Sequence, residues 1–180
     1  MSGLCAFAFG KLPAHGDFVA LGLSPAERDA CDAWASDSLE TARRDLGEAF
    51  EAAHDTAPPW RFAMGPGPLG DTWQAGALTP SIDRSGRRFI IVAGAKAQAG
   101  CLAAQGAGGQ VAEAMEAQIY RTFETGGDID ALVAGAQTAL ADLAADPPCE
   151  SAGRFWTVDP PDEITAQHPP ANLMTRALTR

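Results

Sequence analysis

Hydrophobic positions along this chain recur with two periods, and each period predicts a kind of element. Leu4 to Phe9 is apolar throughout and reads as a buried strand that Gly10 ends. The segment from Gly10 to Phe18, with two glycines and a proline, predicts a shaped loop. A helix follows from Pro25 to Ala53. Ser24 is its expected N-cap, Pro25 suits the first helical position, and Glu27 completes a capping box. Cys31, Trp34, Ala35, Leu39, Ala42, Leu46 and Phe50 recur at helical steps and form one apolar stripe, with Trp34 among the buried side chains. Pro58 and Pro59 forbid continuation.

Trp60 to Met64 predicts a short strand, and Gly65 to Pro68 a rigid turn. Trp73 to Ile82 and Arg88 to Ala95 predict two strands of a hairpin, with turn residues at Asp83, Arg84, Ser85 and Gly86. The unbroken run Phe89-Ile90-Ile91-Val92 suggests a strand covered on both faces. Ala99 to Gly109 reads as a loose connection. A helix from Gln110 to Phe123 carries Val111, Met115, Ile119 and Phe123, and Gly126 and Gly127 stop it. Asp128 caps a further helix with Ile129, Leu132, Val133, Ala136, Leu140 and Leu143 on one face. Arg154 to Val158 is a last strand.

The fold class is therefore α+β: a single domain over residues 1–180, with a mixed or antiparallel sheet of about five strands packed against three main helices. Residues 159–180 read as a polar, proline-rich tail whose Leu173, Met174 and Leu178 dock back on the core.

Charge narrows the function. The formal net charge is -10, which argues against nucleic acid or anionic lipid as a partner and favours solubility. No stretch approaches the ~18 apolar residues of a membrane helix, and the N-terminus lacks a basic region and a long apolar run. Cys5, Cys31, Cys101 and Cys149 form no C-x-x-C pair, and reduced thiols in a cytosolic protein are the simplest reading.

Catalytic and ligand-binding chemistry finds little support. His15, His54 and His168 have no metal-ligand spacing, so no metal or cofactor is expected. Gly10-Lys11 lacks the preceding glycine and following hydroxyl of a phosphate loop. Ser81, His15 and Asp83 compose a hydrolase triad on paper, but no G-x-S-x-G elbow exists to expose the serine. Trp60, Trp73 and Trp156 lie near strands, where core packing competes with a role as aromatic anchors for a partner. Arg84, Arg87 and Arg88 cluster at one hairpin of an acidic chain, either as a solvated turn or as a docking patch, with Arg88 the one expected to turn inward and Asp83 its natural partner. Within the loop, Gly16 is expected in a backbone conformation closed to other residues, Asp17 as an acceptor of backbone N–H groups, and Phe18 as buried.

Three stretches, with a late aromatic pair, together resemble the TagF family of type VI secretion accessory proteins. Gly10-Lys11-Leu12-Pro13 through Gly16-Asp17-Phe18 resembles the family's G-K-x-P-x-x-G-D-F opening. Thr56 to Phe62 resembles its segment after the first long helix, with Pro59 added beside Pro58. Leu78 to Phe89 resembles its P-S-x-D-x-x-G-R hairpin, and Phe155-Trp156 its late aromatic pair, often two tryptophans. The resemblance implies a non-enzymatic cytoplasmic protein, a post-translational repressor of type VI secretion that binds a scaffold protein carrying a forkhead-associated (FHA) domain. It transfers no catalytic residues. It marks Gly10, Lys11, Pro13, Gly16, Asp17 and Phe18 as motif positions, and Arg84, Arg87, Arg88, Trp60 and Trp156 are the candidate partner surface. The alternative is a small hydrolase using the Gly10–Phe18 loop.

Overall fold

Antiparallel pairing organises the chain. The structure, a computed structural model, describes residues 3–179. The strands are β1 (Leu4–Gly10), β2 (Val19–Leu21), β3 (Trp60–Met64), β4 (Gln74–Ile82), β5 (Arg88–Ala97), β6 (Arg154–Thr157) and β7 (Asp162–Thr165). They form one sheet in the order β2-β1-β5-β4-β3-β6-β7, with every pair antiparallel. The α-helices are α1 (Pro25–Leu46), α2 (Phe50–Thr56), α3 (Ala107–Thr125), α4 (Ile129–Ala139) and α5 (Leu173–Leu178). The α+β class therefore holds, but with seven strands rather than about five, and with the two short helices α2 and α5 added to the three long ones. The unforeseen strands are the two edges. β2 is three residues long, and β7 is rich in charge, as suits an exposed edge.

Each face of the sheet buries a different kind of side chain. Toward α3 and α4 it presents Ala6, Ala8, Ala63, Ala75, Ala77, Ala93, Ala95 and Ala97, and against this small lining pack Val111, Met115, Ile119, Leu132 and Leu140. Toward α1, α2 and α5 it presents Phe7, Phe9, Trp60, Phe62, Leu78, Val92 and Phe155. Two glycines accommodate the aromatic rings. Phe7 lies opposite Gly94, Gly94 opposite Gly76, and Gly76 opposite Phe62. A Cβ on Gly94 would come 2.6 Å from the Phe7 ring.

Local signals fix the helix ends. Ser24 Oγ accepts from Glu27 N–H at 3.2 Å, and Glu27 Oε2 accepts from Ser24 N–H at 2.7 Å, so the capping box forms. Asp128 caps α4 by accepting from Ala131 N–H, and Gly126 ends α3 in the left-handed conformation. The helix expected over Pro25–Ala53 breaks at Gly47, whose φ of 53° closes α1, and a 3₁₀ turn over Gly47–Ala49 leads into α2. Trp34 is only half-buried. The connection expected over Ala99–Gly109 already contains the first turn of α3, whose Ala107 N–H is capped by the distant carboxylate of Asp146 at 2.8 Å.

Residues 159–180 supply β7 and α5. Leu173, Met174, Ala177 and Leu178 are buried, Ser38 Oγ donates to Ala171 C=O, and Arg176 pairs with Asp162. The cysteines depart from expectation. Cys101 and Cys149 are joined in a disulfide, with Cα atoms 5.7 Å apart, while Cys5 and Cys31 are free. Forty-eight residues separate the pair, and only the folded loops bring them together.

Candidate functional site

The loop from Gly10 to Phe18 and the turn between β4 and β5 close on each other at one end of the sheet. Gly10 ends β1 at φ 129°, and a Cβ there would meet Ile90 O at 2.1 Å, so the position is restricted to glycine. Lys11 then leaves the sheet, with its N–H donating to Ile90 C=O at 2.9 Å and its carbonyl accepting from Ser81 Oγ at 2.6 Å. His15 C=O accepts from Arg84 N–H at 2.8 Å. Phe18 packs between Phe9 and Phe89, with ring centroids 5.9 and 6.0 Å away, and remains half-buried.

Asp83 is the centre of this closure, and its side chain is fully enclosed. Oδ1 accepts from Ser85 N–H, Ser85 Oγ–H and Arg87 N–H at 2.9, 2.7 and 3.0 Å. Oδ2 accepts from Arg87 Nε at 2.6 Å and Lys11 Nζ at 3.1 Å. Burial alone would push the carboxyl pKa up. The hydrogen bonds from Ser85, the Arg87 backbone and guanidinium, and Lys11 outweigh that and hold it far below the usual carboxylate range. One carboxylate thus pairs with two cations and fixes two segments distant in sequence.

The three arginines divide their work differently from expectation. Arg87, not Arg88, takes Asp83, and it also donates to Gly16 C=O at 2.6 Å and approaches Asp17 at 3.4 Å. Arg88 forks onto Asp55 at 2.8 and 2.7 Å, with Glu51 at 3.3 Å. The Arg88 fork is the chief reason that the Asp55 carboxyl is held down at about 2. The Arg84 side chain donates to the backbone oxygen of Ala14 and is exposed. Gly16 and Asp17 are exposed; Gly16 has ordinary φ and open space at its Cβ position, and Asp17 touches Arg87 rather than capping backbone. Pro13 is exposed.

Sequence reasoning missed the neighbours. A groove of about 860 Å³ runs between the loop, the hairpin and the Gly47 bend, lined by Lys11, Arg43, Phe50, Glu51, Arg87 and Arg88, among others. Arg43 lies over the Phe50 ring at 4.9 Å and donates to Arg88 C=O. Buried His54 donates from Nε2 to Phe89 C=O at 2.6 Å, which ties α2 to β5. These residues carried only the signal of a helix flank.

The two tryptophans do not join this site. Trp60 is wholly enclosed on the aromatic face of the sheet, which removes it from any surface. Half-buried Trp156 sits on β6, opposite Arg61 and Glu163, away from the hairpin end of β5. The paper triad does not assemble through its hydrogen bonds: Ser81 Oγ donates to Lys11 C=O, and His15 Nε2 accepts from Ile129 N–H at 3.2 Å, at the start of α4. Among the described residues no cluster of His, Cys, Asp and Glu is placed to hold a metal, and no helix is long and apolar enough to cross a membrane.

Comparison with known proteins bears on this end of the sheet. Residues 8–139 match the family described as TagF N-terminal domain, type VI secretion system-associated, a span that includes both the loop and the hairpin. No curated protein matches. The crystal structure of PA0076 from Pseudomonas aeruginosa PAO1 is similar over 97% of this chain and 94% of that one, at 28% identity and a TM-score of 0.77.

Proposed function

We propose, from the premise that this chain belongs to the TagF family of type VI secretion system-associated proteins, that it is a non-enzymatic cytoplasmic accessory protein and works by holding a protein partner. The partner we favour is an FHA-domain scaffold, and the outcome of binding is repression of secretion-system assembly. The resemblance described above is the source of that partner and outcome.

The supporting observation is the enclosed Asp83 carboxylate. It joins Lys11 of the loop to Ser85 and Arg87 of the hairpin, and so makes one rigid surface of the two segments that carry the family pattern. Exposed Arg84 and Arg87 rim that surface beside the groove floored by Phe50 and Phe89. An arginine rim around a pre-formed apolar floor suits protein recognition, because little ordering is left for binding to do. Trp156, on another part of the sheet, is kept as a second, separate candidate contact.

The test is co-purification from the source cell with the full chain as bait, followed by calorimetry with the isolated scaffold. The FHA-domain protein is expected in the eluate. Its absence at both low and physiological salt, with the bait folded, overturns the partner assignment.

A further inference from the structure

We propose that the Cys101–Cys149 pair is a thiol–disulfide exchange site, opened by a dithiol reductant that attacks the Cys149 sulfur, and that its state decides whether residues 141–153 stay clasped to the loop in front of α3.

The two halves of the pair have opposite surroundings. Cys101 is enclosed, at 0% exposure, whereas Cys149 lies in an exposed stretch with Pro147, Pro148 and Glu150. An external thiolate therefore has access to one sulfur only, and exchange requires such access. Of the two free cysteines, Cys31 is buried in α1, where burial pushes its thiol up to about 12, and Cys5 sits on β1 with its sulfur accepting from Gln98.

Apart from Cys149, this segment is held by one backbone bridge, by partly buried Leu143 and Ala145, and by Gly153 C=O at its far end. Residues 141–153 contain no helix or strand beyond the bridge between Cys101 and Asp146. There the Cys101 N–H donates to Asp146 C=O at 2.9 Å, and the Asp146 N–H to Cys101 C=O at 3.0 Å. Asp146 Oδ2 then accepts from Ala107 N–H at 2.8 Å and caps α3. The receiving loop is shaped for this one residue. A Cβ on Gly100 would come 2.3 Å from Asp146 O, and one on Gly106 2.2 Å from Asp146 Oδ2. Prolines 147 and 148 have no N–H to add. The disulfide thus holds in place a cap that α3 does not supply from its own sequence, since Gly106 offers no side chain.

The exchange balances without further reagents. A thiolate of the dithiol bonds to Cys149 Sγ, the Cys101–Cys149 bond breaks, and the Cys101 sulfur leaves and takes up a proton. The second thiol of the reductant then displaces Cys149 from the mixed disulfide. The products are two protein thiols and an oxidised reductant, a two-electron exchange. With the covalent tie gone, Asp146 keeps its place through its hydrogen bonds and the packing of neighbouring Leu143 and Ala145 on the core, and the cap on α3 opens more often.

The experiment uses the full chain equilibrated with dithiothreitol or with glutathione buffers. Thiols are alkylated after unfolding and counted by mass, and amide hydrogen exchange is followed on the same samples. Oxidised protein is expected to alkylate only at Cys5 and Cys31, and reduced protein at all four cysteines. Exchange at the Ala107 amide should rise roughly five- to tenfold on reduction, the factor that a cap of ordinary strength represents. Cys149→Ser should exchange at the reduced rate in both buffers. Four alkylated cysteines under oxidising buffer, a pair that excess dithiothreitol leaves intact in the folded protein, or equal exchange at Ala107 in both states would each overturn the proposal. If Cys149→Ser does not fold, the parent chain in its two states still decides the matter.

Discussion

Lys11 and Asp83, 72 residues apart in sequence, meet at 3.1 Å, and through that contact the turn after β1 and the turn after β4 behave as one piece. Arg87 approaches the same oxygen of Asp83 from the other side at 2.6 Å, so removing the carboxylate strands two cations at once.

That arrangement predicts a pH dependence. Asp83 and Asp55 both have folded pKa values below the ordinary carboxylate range. Each therefore adds stability in full above about pH 4, the unfolded value, and loses it as pH falls toward the folded value. The parent should lose melting temperature steadily as pH drops from about 5 toward 2. Asp83→Asn should melt lower at pH 7, yet with a shallower acid slope. Melting curves across this range decide it, and an acid slope equal to the parent's would mean that Asp83 is not the group responsible.

The two glycines of the opening loop should behave oppositely. Gly10→Ala meets backbone at 2.1 Å in a left-handed region and should fail to fold or lose several kcal/mol. Gly16→Ala meets nothing within 4 Å and should stay within about 0.5 kcal/mol of the parent. Denaturant unfolding of both variants is the measurement, and a large loss at Gly16 would contradict the loop geometry.

Trp60→Ala and Trp34→Ala should also separate. Trp60 is at 0% exposure, and its truncation should cost roughly 3–5 kcal/mol. Trp34 is half-buried on α1, and about half that cost is expected. Equal losses in urea titrations would show that α1 lies closer to the sheet than described.

Partner binding should distinguish Arg84 from Arg87. Arg84→Glu alters an exposed side chain with no carboxylate partner among the described residues, so melting should hardly change while scaffold binding weakens roughly two- to fivefold at low salt. The loss should shrink at high salt, since exposed charges are screened within about 8–10 Å. Arg87→Glu instead sets a second carboxylate against Asp83 and should lower the melting temperature as well. Calorimetry at two salt concentrations tests both, and unchanged binding by folded Arg84→Glu at low salt would move the search to the acidic helix face around Glu40, Glu48 and Glu51.

Local chemistry was readable in the sequence, and distant chemistry was not. The Ser24–Glu27 box closes over a sequence separation of three, and the Asp83–Arg87 turn over one of four, so both can be inferred from nearby side chains. The start of α3 is not legible locally, because its cap is Asp146, 39 residues away. Arg88, which enters a strand, reads as the partner of Asp83, but α2, set off from α1 where Gly47 bends the chain, carries Asp55 into its reach. Trp60 reads equally as anchor or core, since an alternating strand has an inside and an outside and sequence alone does not say which side a helix covers.

The alanines beneath α3 and α4 set how this protein can diverge. A larger residue at Ala75, Ala77, Ala93 or Ala95 finds no void to fill and acts as a wedge under a helix, so it survives only alongside a smaller residue above it. Across the sheet, Phe62, Leu78, Val92 and Phe155 line a small cavity, so a change of size at one of them is absorbed without a matching change at another. Drift should therefore proceed by matched pairs on one face and by single steps on the other, and a randomised library selected for folding would record the difference as covariation confined to the alanine side.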